Sequence, residues 1–272
     1  MYETFLQGSY RTGTSVRPRN GQEFDVDVIV ALSLEDENGS RMSPSEAIDM
    51  LYNILKSISI YQDRVQRKTR CVRIDYAGDF HMDVVPAHYD ESTGTLYVPD
   101  RKADKWSETN PKGYIQWCSE RNDEFNGKFT RVVKFLKWWR NRVFGKDCAV
   151  KSIILTTLIG KNFSSDCSTD ADALLGTVSN LHDFLQWHSS VPCIPNPSLS
   201  TENLARDWKQ EHYETFKNRV AALLKKIEDA YEEEDLEKSV EKWREIFGDE
   251  FPSPEEVRAQ KVKAAQTEGK VL

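Results

Sequence analysis

The rhythm of polar and apolar positions changes character once along the chain. In the first third, short runs alternate with period two, the mark of strands whose two faces differ. Residues 2–7, 24–34, 69–76 and 79–87 read this way, and Ala77-Gly78 reads as the turn of a hairpin joining the last two. Between the second and third runs, Ser43-Pro44-Ser45-Glu46 is a capping box with proline at the first helical position, which predicts a helix reaching about Ser59. From about residue 116 the apolar period lengthens to that of helices, over residues 129–144, 150–161, 170–188, 201–231 and 236–247. Leu204, Trp208, Phe216, Val220, Leu223, Leu224 and Ile227 carry that period through the fourth of these. A proline-rich stretch, 191–197, separates two helices, and the acidic run 232–235 breaks another pair. The chain after Phe251 reads as a loosely held tail.

Length agrees with this division, since 272 residues exceed one typical domain and leave room for two lobes around a cleft. The apolar runs at 28–32 and 153–160 fall far short of the roughly 20 residues that span a bilayer, and no signal peptide opens the sequence, so membrane spanning and secretion are not expected. Cysteines at 71, 118, 148, 167 and 193 are odd in number and never in C-x-x-C spacing. That argues against a disulfide framework and a zinc site, and fits a reduced cytoplasm. A net charge of −7 disfavours a general nucleic-acid coat while leaving open a local basic cleft for phosphates.

The candidate chemistry lies in the strands. Alternation through Phe24-Asp25-Val26-Asp27-Val28-Ile29-Val30 puts Phe24, Val26, Val28 and Val30 on one face and both Asp25 and Asp27 on the other. Two carboxylates so placed repel each other unless a cation lies between them. A third acid, Asp83, stands opposite the apolar face made by Phe80, Met82 and Val84, and if its strand lies beside the first, three carboxylates converge. Three aspartates suit Mg²⁺, a hard ion that shares its oxygen ligands with nucleotide phosphates. Upstream, Gln7-Gly8-Ser9-Tyr10-Arg11-Thr12-Gly13-Thr14 is a strand end running into a glycine- and hydroxyl-rich turn, which can present backbone N–H groups and the Ser9 hydroxyl to a triphosphate, with Gly8 allowing close approach. His81 and His88 flank Asp83 without metal-ligand spacing, and His182 and His188 share no helical face; all four read as structural or exposed. Arg11 and Arg73 are equally suited to phosphate contacts and to ordinary surface or cross-strand pairing. Trp106 and residues 114–117 read as core ahead of a base-stacking surface.

Gly8-Ser9, Asp25-x-Asp27 and Asp83 resemble the nucleotidyltransferase signature of the polymerase-β-like superfamily. More narrowly, QGSYRTGTSVRP, EFDVDVIVAL, RCVRIDY, FHMDVVPA, NPKGYIQW, NPSLSTENLARDW and KWREIFGDEFP resemble the bacterial cyclic GMP-AMP synthase-like (CD-NTase) enzymes of anti-phage CBASS systems, from residue 5 to about 252. The resemblance implies a bilobal α+β fold, a mixed-sheet catalytic lobe packed on a helical lobe. It divides the chain into a nucleotidyltransferase core at 1–115, a helical lobe completing the nucleotide cleft at 116–252 and a tail at 253–272. It also implies synthesis of a cyclic di- or trinucleotide from nucleoside triphosphates, ATP foremost, with Mg²⁺, or Mn²⁺ in its place, on Asp25, Asp27 and Asp83. No template nucleic acid and no membrane are expected, and the partners are regulatory proteins of the same defence system.

In that family a lysine on one helix and a serine opening the next hold the donor triphosphate, and Lys137 and Ser152 match them. On a helical wheel Val132, Phe135, Leu136, Trp139 and Val143 form the buried stripe, Lys137 sits at its border and Lys134 faces solvent. Members usually carry a long helix before the first catalytic strand, whereas this sequence opens on that strand at Met1-Tyr2-Glu3-Thr4, so an upstream amphipathic helix is expected to add stability. The alternatives are a template-independent transferase making linear oligoadenylate or adenylylating another molecule, and a truncated, inactive interaction module.

Overall fold

The computed structural model describes residues 2–18, 23–35, 38–76, 80–144, 150–165 and 168–268, with side chains through residue 263. The Ala77-Gly78 turn, Cys148 and Cys167 lie outside the described residues. The chain divides into two compact units, Met1–Arg121 with Pro195–Glu202, and Asn122–Ile194 with Asn203–Leu272.

The first unit runs β1 (Glu3–Gln7), α1 (Gly8–Arg11), β2 (Phe24–Leu32), α2 (Pro44–Ser57), β3 (Val65–Arg67), β4 (Val72–Asp75), β5 (Phe80–Asp90), β6 (Thr95–Asp100), β7 (Lys105–Thr109) and most of α3 (Pro111–Glu124). Its mixed sheet has the order β1-β2-β5-β4-β3, with β6 on β5 and β7 on β6. The central pair, β2 with β5, is parallel, while β1 joins β2 and β4 joins β5 antiparallel. Strand alternation then sorts the side chains. Val72, Ile74 and Val84 meet Ile48 and Leu51 of α2 in one core cluster, with Val30 and Met82 packed against it. The other face is apolar further along the strands, where Ile29, Cys71, Val85 and Ala87 pack with Phe5, Leu96 and Val98. The acids occupy the polar end of that second face. Helix α2 enters through its capping box, Glu46 N donating to Ser43 Oγ (3.3 Å) and Ser43 N to Glu46 Oε2 (2.8 Å).

The second unit holds α4 (Lys128–Val143), α5 (Ser152–Lys161), α6 (Asp170–Trp187), α7 (Gln210–Tyr231), α8 (Leu236–Phe247) and α9 (Pro254–Glu268). Between α6 and α7 come β8 (Pro195–Asn196) and β9 (Leu199–Asn203), which pair with each other. The helix expected over 201–231 therefore starts at Gln210 instead. Asn203 Oδ1 accepts from Ile194 N and Ala205 N, both 3.0 Å, which ties the backbone into a turn. Trp208 reaches the core from that turn, 7% exposed, so its spacing imitates a helix without forming one. The tail expected to be loose instead forms α9, opened by Ser253 and Glu256 in the same reciprocal capping as Ser43 and Glu46. Among the described residues no helix is long and apolar enough to cross a membrane.

Candidate active site

The parallel register sets Asp27 beside Asp83 and Asp25 beside His81, and the antiparallel register sets Arg73 beside Asp83. All five side chains share one face of the sheet by the parity of the pleat. Asp25, His81 and Asp83 offer ligand atoms that lie within 4.8 Å of one another. Arg73 grips Asp83 in a two-pronged pair, Nε to Oδ1 and Nη2 to Oδ2, each 2.8 Å. His81 Nε2 stands 3.0 Å from Asp25 Oδ1, and its Nδ1 stands 3.0 Å from Glu23 Oε2.

These neighbours pull the carboxyls apart. Burial, followed by the charges of Asp25 and Asp83, pushes Asp27 up to about 7. Burial and Asp83 raise Asp25 as well, against the opposing pull of His81 and Arg73. At Asp83 burial again pushes upward, but the hydrogen bonds and charge of Arg73, joined by His81 and the Cys71 thiol, outweigh it and leave the group below its ordinary value. Burial and then Asp83 push Cys71 to about 12, so it remains a thiol.

Gly8 follows β1 directly and stands at φ +68°, where a Cβ would come within 2.1 Å of Asp27 Oδ2. The turn is therefore glycine for two reasons, its conformation and the closeness of the carboxylate. Ser9 Oγ shares a hydrogen bond with Ser15 Oγ (3.0 Å), and Ser9 O accepts from Thr14 N (2.9 Å). The acid face fits a divalent cation on its chemistry. Hard oxygen donors converge from two adjacent strands, and burial together with the charges of Asp25 and Asp83 drives Asp27 toward the protonated form, a cost that a divalent cation held by these oxygens would relieve.

A family model, the Second Messenger Oligonucleotide or Dinucleotide Synthetase (SMODS) domain, matches residues 1–122. The cyclic AMP-AMP-AMP synthase of an Acinetobacter strain is 30% identical over 256 residues, covering 92% of this chain and 72% of that relative. The chain belongs to the CD-NTase family. A c-di-GMP synthase of Roseivirga ehrenbergii is 28% identical over 299 residues, 98% of this chain and 78% of the relative. Among solved structures, a Bradyrhizobium diazoefficiens CD-NTase in complex with GTP gives a TM-score of 0.73 at 18% identity, covering 91% of this chain and 82% of that one. The Vibrio cholerae cyclic AMP-GMP synthase with nonhydrolyzable GTP gives 0.75 at 19% identity, covering 93% and 70%. The fold of this CD-NTase is thus the α+β, polymerase-β-like one.

The remaining residues singled out in this CD-NTase's sequence lie in several places. Lys137 and Ser152 belong to the second unit, away from the sheet in sequence. Lys137, on α4, is only 4% exposed, whereas Lys134 three residues earlier is exposed. Ser152 is the first residue of α5, and its Oγ accepts from Arg140 Nη1 (3.1 Å), which also donates to Val150 O (3.1 Å). His88 is structural, its Nδ1 accepting from Leu34 N (3.3 Å), and His188 Nδ1 pairs with Phe184 O (2.8 Å). Trp106 donates from Nε1 to Met42 O (2.9 Å), which makes it a structural anchor.

His81 departs from its expected role, for it faces the acids. Its position two residues before Asp83 on the same strand was the available signal, since that spacing alone assigns both to one face. Glu23 carried the same signal, two residues before Asp25 in the alternation, although it stands one residue ahead of β2.

Proposed function

We propose that this CD-NTase is a metal-dependent nucleotidyltransferase that joins nucleoside triphosphates into a cyclic di- or trinucleotide second messenger in anti-phage signalling. One observation carries the reading: Asp27 beside Asp83 across the parallel β2·β5 pair, with Asp25 on the same face. Asp25, Asp27 and Asp83 would hold the divalent ion, Mg²⁺ or Mn²⁺, which when bound supplies charge neutralisation at the donor phosphates and a lower pKa for the acceptor ribose hydroxyl.

The chain's own residues prepare that site. Arg73 keeps Asp83 anionic and fixed in orientation. Asp27, poised at about 7 by burial and by the charges of Asp25 and Asp83, would serve as a carboxylate ligand in its deprotonated form. Gly8 leaves the space that Asp27 Oδ2 occupies, and the role expected of the turn that follows it is to offer backbone N–H groups and the Ser9 hydroxyl to a triphosphate. Lys137 and Ser152, matched to the family pattern, hold the donor triphosphate. ATP is the expected substrate, no template is required, and regulatory proteins of the same defence system are the expected partners.

The relatives' products differ, a cyclic tri-AMP in one and c-di-GMP in the other, so base and ring size are read from the product itself. Purified chain incubated with each triphosphate and Mg²⁺ or Mn²⁺ should yield a phosphatase-resistant oligonucleotide, and Asp27→Asn should yield none. Linear oligoadenylate or an adenylylated acceptor would replace this reading with plain nucleotidyl transfer.

A further inference from the structure

Building on the reading of the acid face as a metal-bearing site, we propose that His81 supplies a nitrogen ligand to a divalent cation shared with Asp25 and Asp83, and that Glu23 fixes the tautomer this requires. The ring lies between two carboxylates, Nδ1 at 3.0 Å from Glu23 Oε2 and Nε2 at 3.0 Å from Asp25 Oδ1. A neutral imidazole has one N–H and one lone pair. With Nδ1–H donated to Glu23, the lone pair on Nε2 points at the acids. This is the carboxylate–histidine–metal arrangement in which an outer carboxylate orients the ring and raises its basicity.

The spacing agrees. Ligand atoms about 2.1 Å from an octahedral ion stand about 3.0 Å apart when adjacent and about 4.2 Å apart when opposite. The Nε2 to Oδ1 separation of 3.0 Å is a hydrogen-bond distance and equally that of adjacent ligands, so a cation can take the place of the shared proton, and the three donors, all within 4.8 Å of one another, need only a small contraction to meet on one ion. Asp83 has capacity left, since Arg73 takes one position on each oxygen, the Cys71 thiol takes a third, and a carboxylate offers about four acceptor sites. The ring is also rigidly placed: it is buried, and its backbone lies in register with Asp25 on the central strand pair of the sheet. Mn²⁺ and Mg²⁺ both favour oxygen ligands, but Mn²⁺, a transition-metal ion, accepts an imidazole nitrogen more readily than Mg²⁺ does, so His81 is a determinant of which ion the site prefers.

The test uses Mn²⁺ alone with the full chain, read by electron spin-echo envelope modulation, which detects nitrogen nuclei bonded to the ion. Wild type should show the ¹⁴N coupling of a directly bound imidazole. His81→Gln should lose that coupling and bind Mn²⁺ at least about 10-fold more weakly, with a much smaller change for Mg²⁺. Glu23→Gln should keep the coupling while binding Mn²⁺ more weakly. Bound Mn²⁺ without ¹⁴N coupling in the wild type overturns the proposal, and leaves His81 as an orienter of Asp25. Should His81→Gln fail to fold, His81→Asn replaces it with the same expectation: loss of the ¹⁴N coupling from bound Mn²⁺ supports the assignment, and a coupling that survives belongs to another histidine and overturns it. Mn²⁺ binding indifferent to Asp25→Asn, Asp27→Asn and Asp83→Asn would instead overturn the metal-site reading itself.

Discussion

With no cation bound, Asp27 holds a proton at pH values where the unfolded chain has released it, because its carboxyl stands near 7 against an ordinary 3.8. The native state therefore binds more protons than the unfolded state between about pH 4 and pH 7, and stability must fall as pH rises through that window. The slope is at most roughly 1.4 kcal/mol per pH unit for one proton. Asp25 adds to the trend with the same sign, and Asp83, which is lowered, opposes it in more acid solution. Asp27→Asn removes the term, so in EDTA at pH 8 the variant should melt above wild type while losing at least about 100-fold in turnover with metal present. A variant that melts below wild type at pH 8 would contradict the electrostatic account of this residue. Gly8→Ala should cost more than about 1 kcal/mol, through its positive φ and a Cβ placed 2.1 Å from Asp27 Oδ2, and should lower turnover as Asp27 shifts. A melt unchanged by Gly8→Ala would show that the turn relaxes freely.

Among the elements, α4 and α5 carry the lysine and serine assigned to the donor. Lys137→Ala should raise KM for the triphosphate about 10-fold or more and lower kcat, whereas Lys134→Ala, altering an exposed cation three residues away, should leave both within about two-fold. Equal indifference of the two variants in saturation kinetics would remove the donor assignment. Elements differed in how openly the sequence declared them. Ser43-Pro44-Ser45-Glu46 announced α2, and the same pattern in Ser253-Pro254-Glu255-Glu256 announced α9 but sat in a stretch whose mixed, polar composition reads as a tail. Strands β6 and β7 were missed because Thr95–Asp100 and Lys105–Thr109 are short and polar-rich, and Pro99 weakens the strand signal further. At the site, alternation alone assigned Asp25, Asp27 and Asp83 to faces. Which strands lie side by side depends on pairing across the sheet, so the grip of Arg73 on Asp83, the close approach of Gly8 to Asp27 and the contacts of His81 had to come from three dimensions.

Across the whole molecule, chain order and spatial order part company at Pro195–Glu202. These residues lie between helices of the second unit in sequence but belong to the first, held by Asn110 Nδ2 donating to Ser198 O (3.0 Å) and Ser198 Oγ donating to Asn110 O (2.9 Å). A sequence boundary near residue 115 has no means of showing such a return. The reaction makes its own demand on the chain. A single set of acids must first join donor to acceptor, then receive the linear product with its free hydroxyl facing its own triphosphate. Closure is favoured because attack within one molecule carries a high effective concentration. Mass spectrometry of the phosphatase-treated product therefore tests the central claim most directly. A species with the mass of whole nucleoside monophosphates less one water each, absent with Asp27→Asn, is the predicted result; only linear oligomers stripped by the phosphatase to 5′-hydroxyl ends, or an AMP adduct on another molecule, would contradict it.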